Sequence, residues 1–149
     1  METSGEILCI SGSVRNYAVE FKYIKEICSD ILVSKVPCLP EYFAGVFHYR
    51  GAIIPVIRLD EETDIPEQKT QKAVVLILEY LKYQLGIILS REPFMVQEQE
   101  MTRVEMPQQE ENAVSDIWIG KAFYKLQDTL YSLGDVEKIM EHLIVYPSV

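Results

Sequence analysis

The feature that most constrains this chain is its punctuation. Short apolar runs rich in Val, Ile, Tyr and Phe recur along it, and clusters of Gly, Pro, Asn, Asp or Ser separate them. Runs of that length suit strands joined by tight turns better than helices. Glu6 to Ile10 and Tyr17 to Phe21 flank the turn formers at 11 to 16 and read as a hairpin. Ala44 to Tyr49 and Ala52 to Leu59 flank Arg50-Gly51, a two-residue turn with glycine where φ must be positive. Ala73 to Leu78 and Gln84 to Leu89 make a further hairpin around Glu79 to Tyr83. Both of its strands lack polar alternation, so burial on much of both faces is expected. Ile117 to Tyr124 and Thr129 to Leu133 form the last, around Lys125 to Asp128.

Between these units the reading is more varied. Tyr23 to Cys28 reads either as a single helical turn or as a continuing strand, because Ile24, Ile27 and Cys28 fall at helical spacing. Pro37 and Pro40 exclude a central strand around them, and Pro55 restricts its own run to an edge or a bulge. Pro93 ends a unit, after which Phe94 to Val96 restarts a strand. Gln97 to Ser115 is polar and acidic, a loop or weak strand. The polar stretch at 60–72 is the natural internal boundary of a single domain spanning 1–149. Only the end departs from β character: Val136, Ile139, Met140 and Leu143 fall at i, i+3, i+4 and i+7 behind Asp135, a suitable N-cap. A helix with its apolar stripe plugging a barrel end is expected there.

Composition narrows function by exclusion. The net charge is −9, from 23 acidic and 14 basic residues. A broad phosphate-binding or anionic-membrane-binding surface needs clustered Lys and Arg, so neither is expected. The nine Tyr and five Phe are stacking material for single-stranded nucleic acid. However, Arg15, Lys22, Lys25, Lys35 and Arg50 are nearly matched by Glu20, Glu26, Asp30 and Glu41, and no basic groove emerges. Cys9, Cys28 and Cys38 are odd in number and lack Cys-x-x-Cys spacing, which indicates thiols in a reducing compartment and no metal site. His48 and His142 stand in different elements, and no nucleophile elbow or phosphate-cradling glycine loop occurs. No catalytic residue, metal or cofactor is expected. A soluble, cytoplasmic binding module is the class that remains; a small β-barrel binding a ligand or single-stranded nucleic acid is the alternative form of it.

Three stretches carry a more specific signal. The first runs Phe21-Lys22-Tyr23-Ile24-Lys25-Glu26-Ile27, and leads through Val36-Pro37-Cys38-Leu39-Pro40. Next come Gly45-Val46-Phe47-His48-Tyr49-Arg50-Gly51 and Ile53-Ile54-Pro55-Val56-Ile57-Arg58-Leu59. Together they resemble the central signature of the CheW family, the adaptor proteins of bacterial chemosensory arrays. That signature is a hydrophobic-x-x-Val-x-Glu-Ile element, a Gly-Val-x-Asn-Leu-Arg-Gly hairpin and an Ile-Pro-Val strand. The resemblance implies an all-β fold of two intertwined five-stranded SH3-like barrels sharing one hydrophobic core, with a short C-terminal helix. It implies a non-enzymatic scaffold between the cytoplasmic tips of methyl-accepting chemoreceptors and the regulatory domain of a CheA-type histidine kinase, with no membrane insertion. Ile24, Glu26, Gly45 and Arg50 match positions used for partner contact or for shaping the receptor groove. A purely structural role stands beside each: Ile24 as core, Gly45 as backbone geometry, Glu26 and Arg50 as an ion pair. His48-Tyr49 replaces the family's Asn-Leu, Arg58 its Asp, and Ser90-Arg91-Glu92-Pro93 an Asp-x-Val stretch.

Overall fold

The structure, a computed structural model, describes residues 5–12, 15–59, 73–105 and 117–145. The expected boundary at 60–72 and the acidic residues from 106 to 115 lie outside the described residues. Eleven strands and one helix are present among those described. In chain order the strands are β1 (Glu6–Ser11), β2 (Asn16–Glu20), β3 (Ile24–Ile31), β4 (Phe43–Tyr49), β5 (Ala52–Ile57) and β6 (Ala73–Tyr80). They continue with β7 (Tyr83–Leu89), β8 (Phe94–Gln97), β9 (Thr102–Val104), β10 (Gly120–Leu126) and β11 (Thr129–Gly134), and α1 (Val136–Val145) closes the series. The all-β expectation and its hairpins hold, with turns tighter than expected at Leu81-Lys82 and Gln127-Asp128. Of the two readings of 23–28 the strand holds: Ile24, Ile27 and Cys28 all lie in β3, and the one 3-10 turn here, Phe21–Tyr23, precedes them.

The strands form two sheets. One has the order β8-β1-β2-β11-β10-β9, the other β3-β6-β7-β5-β4. The first counts six strands because a single 3-10 turn at Glu98–Glu100 bends the closing segment into β8 and β9, which take opposite edges. In the second, Ser34 and Val46 exchange backbone hydrogen bonds of 2.8 and 2.9 Å, which joins the segment after β3 to β4 at the far edge. Closure of this kind leaves no long open edge. The strands on either side of 60–72, β5 and β6, belong to the same sheet; the chain changes sheet between β2 and β3 and between β7 and β8.

Alternation sorts the side chains into three cores. Ile7, Cys9 and Ala18 face Ala122, Tyr124, Tyr131 and Leu133 inside one barrel. Phe47, Ile54, Val56, Val75, Ile77 and Ile88 fill the other. The opposite faces of the same strands meet between the barrels: Leu8, Ile10, Tyr17 and Val19 from β1 and β2 pack on Leu76, Leu78, Leu85 and Ile87 from β6 and β7. Strands buried on both faces are why these segments read as unbroken apolar runs. Tyr17 adds a polar tie, donating its hydroxyl to the Leu59 carbonyl at 3.1 Å.

Pro55 needs a correction. Its strand β5 is internal, between β7 and β4, and not at an edge. The proline is tolerated because the β5–β7 ladder comprises only Val56 and Ile57, so position 55 pairs only with Val46 on β4.

The terminal helix forms as expected, but its apolar stripe packs into the core shared between the barrels and does not plug a barrel end. Asp135 Oδ1 accepts from the Lys138 backbone N–H at 3.1 Å, which is N-cap geometry. Val136, Ile139, Met140 and Leu143 all enter the shared core. Glu137 accepts the Tyr23 hydroxyl at 2.6 Å, tying α1 to the turn that precedes β3. Asp135→Ala removes the cap and is expected to lower stability by about 1 kcal/mol, read as a reduced midpoint in chemical denaturation with unchanged slope.

Candidate functional site: a charged corner and an apolar groove

Barrel closure brings two distant pieces of chain together. Glu26 stands on β3 and Tyr49 at the end of β4, strands that occupy opposite edges of the five-stranded sheet. The Tyr49 hydroxyl donates to Glu26 Oε1 at 2.5 Å. Arg50, the next residue, places a guanidinium nitrogen 3.3 Å from the same oxygen and its Cζ 5.1 Å from the Tyr49 ring centroid. Hydrogen bonding from Tyr49 is the largest influence and, with the Arg50 charge, the Cys28 thiol and the Lys25 charge, holds the Glu26 carboxyl below its ordinary value against desolvation, which opposes it. The Tyr49 hydroxyl is pushed up, chiefly because it donates to that carboxylate. Cys28, half-buried beside them, is raised by burial and by the Glu26 charge, so it is a protonated thiol that donates to Glu26.

Arg50 itself is under backbone strain. Its φ is +52° and that of Gly51 is +85°, the pattern of a type I′ hairpin turn. That turn prefers Asn, Asp or Gly at both positions, and an Arg there pays a steric cost. The side chain is 69% exposed. A strained, exposed arginine held against a carboxylate and a ring is an arrangement that packing alone does not require.

Gly45 and Ile24 have different surroundings. Gly45 is buried at φ +151°, and a Cβ there would sit 2.2 Å from the Ser34 carbonyl oxygen. It makes the close approach that closes the barrel, which is a backbone role. Ile24 is half-buried against the shared core, opposite Leu78. A bulge between Ile24 and Glu26 turns the two side chains toward different compartments. Of the four residues singled out in the sequence, Glu26 and Arg50 are brought together. Tyr49, which joins them, was noted in the sequence only as half of the His48-Tyr49 departure from the family's Asn-Leu and not as a site residue.

A second feature lies between β5, β7 and α1. Ile53, Pro55, Tyr83, Leu85, Met140 and Leu143 line a groove of about 500 Å³. Ile53 is 62% exposed, and Leu81, at the β6–β7 turn with φ +58°, is 72% exposed. Among the described residues no cluster of three or more His, Cys, Asp or Glu side chains has the geometry to hold a metal ion. None of the described helices is long and apolar enough to cross a membrane.

Two barrels fused through a shared core and capped by one helix place the chain in a fold already seen in a scaffolding protein. The crystal structure of scaffolding protein TtCheW from Thermoanaerobacter tengcongensis superposes with a TM-score of 0.66, over 93% of this chain and 94% of that one, at 21% identity. The CheW-like domain family matches residues 6–143, and the chain belongs to that family. Chemotaxis protein CheW of Treponema pallidum (strain Nichols) is 33% identical over 82 residues, 50% of this chain and 47% of that protein. Chemotaxis protein CheW of Bacillus subtilis (strain 168) is 26% identical over 90 residues, 60% of this chain and 58% of that protein. The matched stretch thus spans about half the length of these curated relatives.

Gly45→Ala is expected to cost more than about 2 kcal/mol, because the new methyl meets backbone at Ser34. The loss should appear in thermal denaturation of the isolated chain. A variant as stable as the wild type would contradict the closing role given to this residue.

Proposed function

We propose that this chain is a non-enzymatic adaptor that couples the cytoplasmic tips of methyl-accepting chemoreceptors to the regulatory domain of a CheA-type histidine kinase. The observation that carries this reading is the extent of the family match, from residue 6 to 143, through both sheets and α1. Both barrels and the junction between them are therefore included. The work of such a protein is positioning: two modest contacts on one rigid body raise the effective concentration of each partner for the other. Its place of action is the cytoplasm, at receptor arrays.

Each surface feature has a part in this scheme. The apolar groove beside α1 offers Ile53 and Tyr83 to the apolar stripe of a helical hairpin, the form of a receptor tip. The Glu26–Tyr49–Arg50 corner, at a barrel end, serves the kinase regulatory domain. Ile24 and Gly45 shape these surfaces from behind, the first through the shared core and the second through barrel closure. Large apolar anchors supply affinity in such interfaces, and the charged residues set orientation and specificity.

The test is direct binding. Calorimetry with a receptor cytoplasmic fragment and with the kinase regulatory domain is expected to show association with both. Fluorescence anisotropy with single-stranded DNA is expected to show none, and binding to DNA alone would reverse the reading. Arg50→Ala is expected to weaken kinase association about tenfold with the fold intact by circular dichroism. Arg50→Asn is the sharper variant. Asparagine suits the turn, so stability should stay within about 1 kcal/mol of wild type while binding falls as in the alanine variant.

A further inference from the structure

Arg50 cannot be held in place by Glu26 alone. The ion pair is 3.3 Å long and open to solvent, a contact worth little by itself. The turn carrying Arg50 is strained at that residue, which favours local fluctuation over a fixed side-chain direction. Tyr49 supplies what is missing. Its side chain is anchored in the core of the five-stranded barrel, with the Phe47 ring centroid 6.1 Å away, so the hydroxyl has a fixed position. From there it donates to Glu26 Oε1, the oxygen that Arg50 also approaches, while the face of its ring lies under the guanidinium. One buried residue thus fixes both charges of the corner. The Arg50 side chain remains 69% exposed, so its guanidinium, the planar fork that matches a carboxylate, is accessible to a partner.

We propose that Tyr49 is the positioning residue of this corner: it holds the Glu26 carboxylate and supports Arg50, so that the arginine presents a preset fork to a carboxylate side chain on the partner. The proposal rests on the docking role given to Arg50 above. It adds the chemical class of the partner group and the residue that prepares its receptor. The charged and titratable groups around Glu26 are Lys25 and Cys28 on its own strand, and Tyr49 and Arg50 from β4 and its turn. Lys25 also pairs with Glu79 on β6 at 3.6 Å. Because Glu26 is depressed in the folded chain, the corner is intact above the ordinary carboxylate range and opens as the pH falls through the lowered value.

Tyr49→Phe keeps the ring and removes the hydroxyl; Tyr49→Leu removes both. In the isolated chain, the Glu26 carboxyl is followed by carbon-detected NMR titration. Its midpoint is expected to rise toward the ordinary carboxylate value in Tyr49→Phe, whereas an unchanged midpoint would overturn the proposal. In calorimetry with the kinase regulatory domain, Tyr49→Phe is expected to weaken association about fivefold. Tyr49→Leu should approach the loss seen for Arg50→Ala, and adding Tyr49→Phe to Arg50→Ala should cost nothing more. Wild-type affinity should fall with added salt, and Arg50→Ala should lose much of that dependence if the partner group is a carboxylate. Equal salt dependence in both would overturn that part. Wild-type affinity for Tyr49→Phe beside weakened Arg50→Ala defeats the positioning role alone; wild-type affinity for both defeats the docking role of the corner and this proposal with it. Should Tyr49→Leu fail to fold, Tyr49→Phe and Glu26→Gln carry the test, since the hydroxyl should matter less once the carboxylate charge is gone.

Discussion

Strands β1, β2, β6 and β7 each send alternate side chains into two different cores, and the rest of the molecule depends on that division. Leu76 and Leu78 face the junction between the barrels while Val75 and Ile77 face a barrel interior. Leu8 and Ile10 do the same opposite Ile7 and Cys9. A barrel of five short strands has too little interior to be comfortable alone. Sharing a wall gives each barrel a second buried face without more chain. A polar substitution on either face of these strands would strand an unpaired group, so their sequences have almost no freedom to alternate.

The charged corner inherits its geometry from the closing of one of these barrels. Glu26 comes from one edge strand of a sheet and Arg50 from the turn that ends the other, and they meet because Ser34 and Val46 pair across the gap and Gly45 permits the approach. The second barrel uses a related solution. Its closing segment carries Glu98 between β8 and β9, and the Tyr124 hydroxyl donates to that carboxylate at 3.1 Å. In both barrels a tyrosine rooted in the interior reaches out to a carboxylate at the seam. The second seam also sets an exposed arginine, Arg103 on β9, opposite its tyrosine; what distinguishes the first is that Arg50 stands on a turn strained at positive φ.

Much of the local structure was legible because it is written in nearest neighbours. Arg50-Gly51 marks its turn, Asp135 marks the start of α1, and the unbroken Ala73–Leu78 run marks a strand buried on both sides. Sheet membership was not legible. The two joining ladders, β5 with β7 and β11 with β2, are parallel and short, and no local pattern announces a partner dozens of residues away. For the same reason Pro55 was assigned to an edge or a bulge: its tolerance depends on where a neighbouring ladder happens to begin. Glu26 and Arg50 were found through opposite charge and family likeness. Tyr49 was passed over because its hydroxyl acts across a seam that exists only after closure.

The order in which the strands enter the two sheets also has a bearing on how the molecule comes into being. All strands of the five-stranded sheet lie between Ile24 and Leu89, so that barrel is complete in one continuous stretch of chain. The six-stranded sheet instead pairs β2 with β11, across more than a hundred residues. During synthesis the N-terminal hairpin must therefore wait, with Ile7, Cys9 and Ala18 uncovered on one face, until the last strands have left the ribosome. Long-range pairing of this sort is slow to form and leaves sticky surface exposed in the meantime. The early-closing barrel offers the hairpin's other face, Leu8, Ile10, Tyr17 and Val19, a wall to rest on, so the shared core is also a shelter during folding.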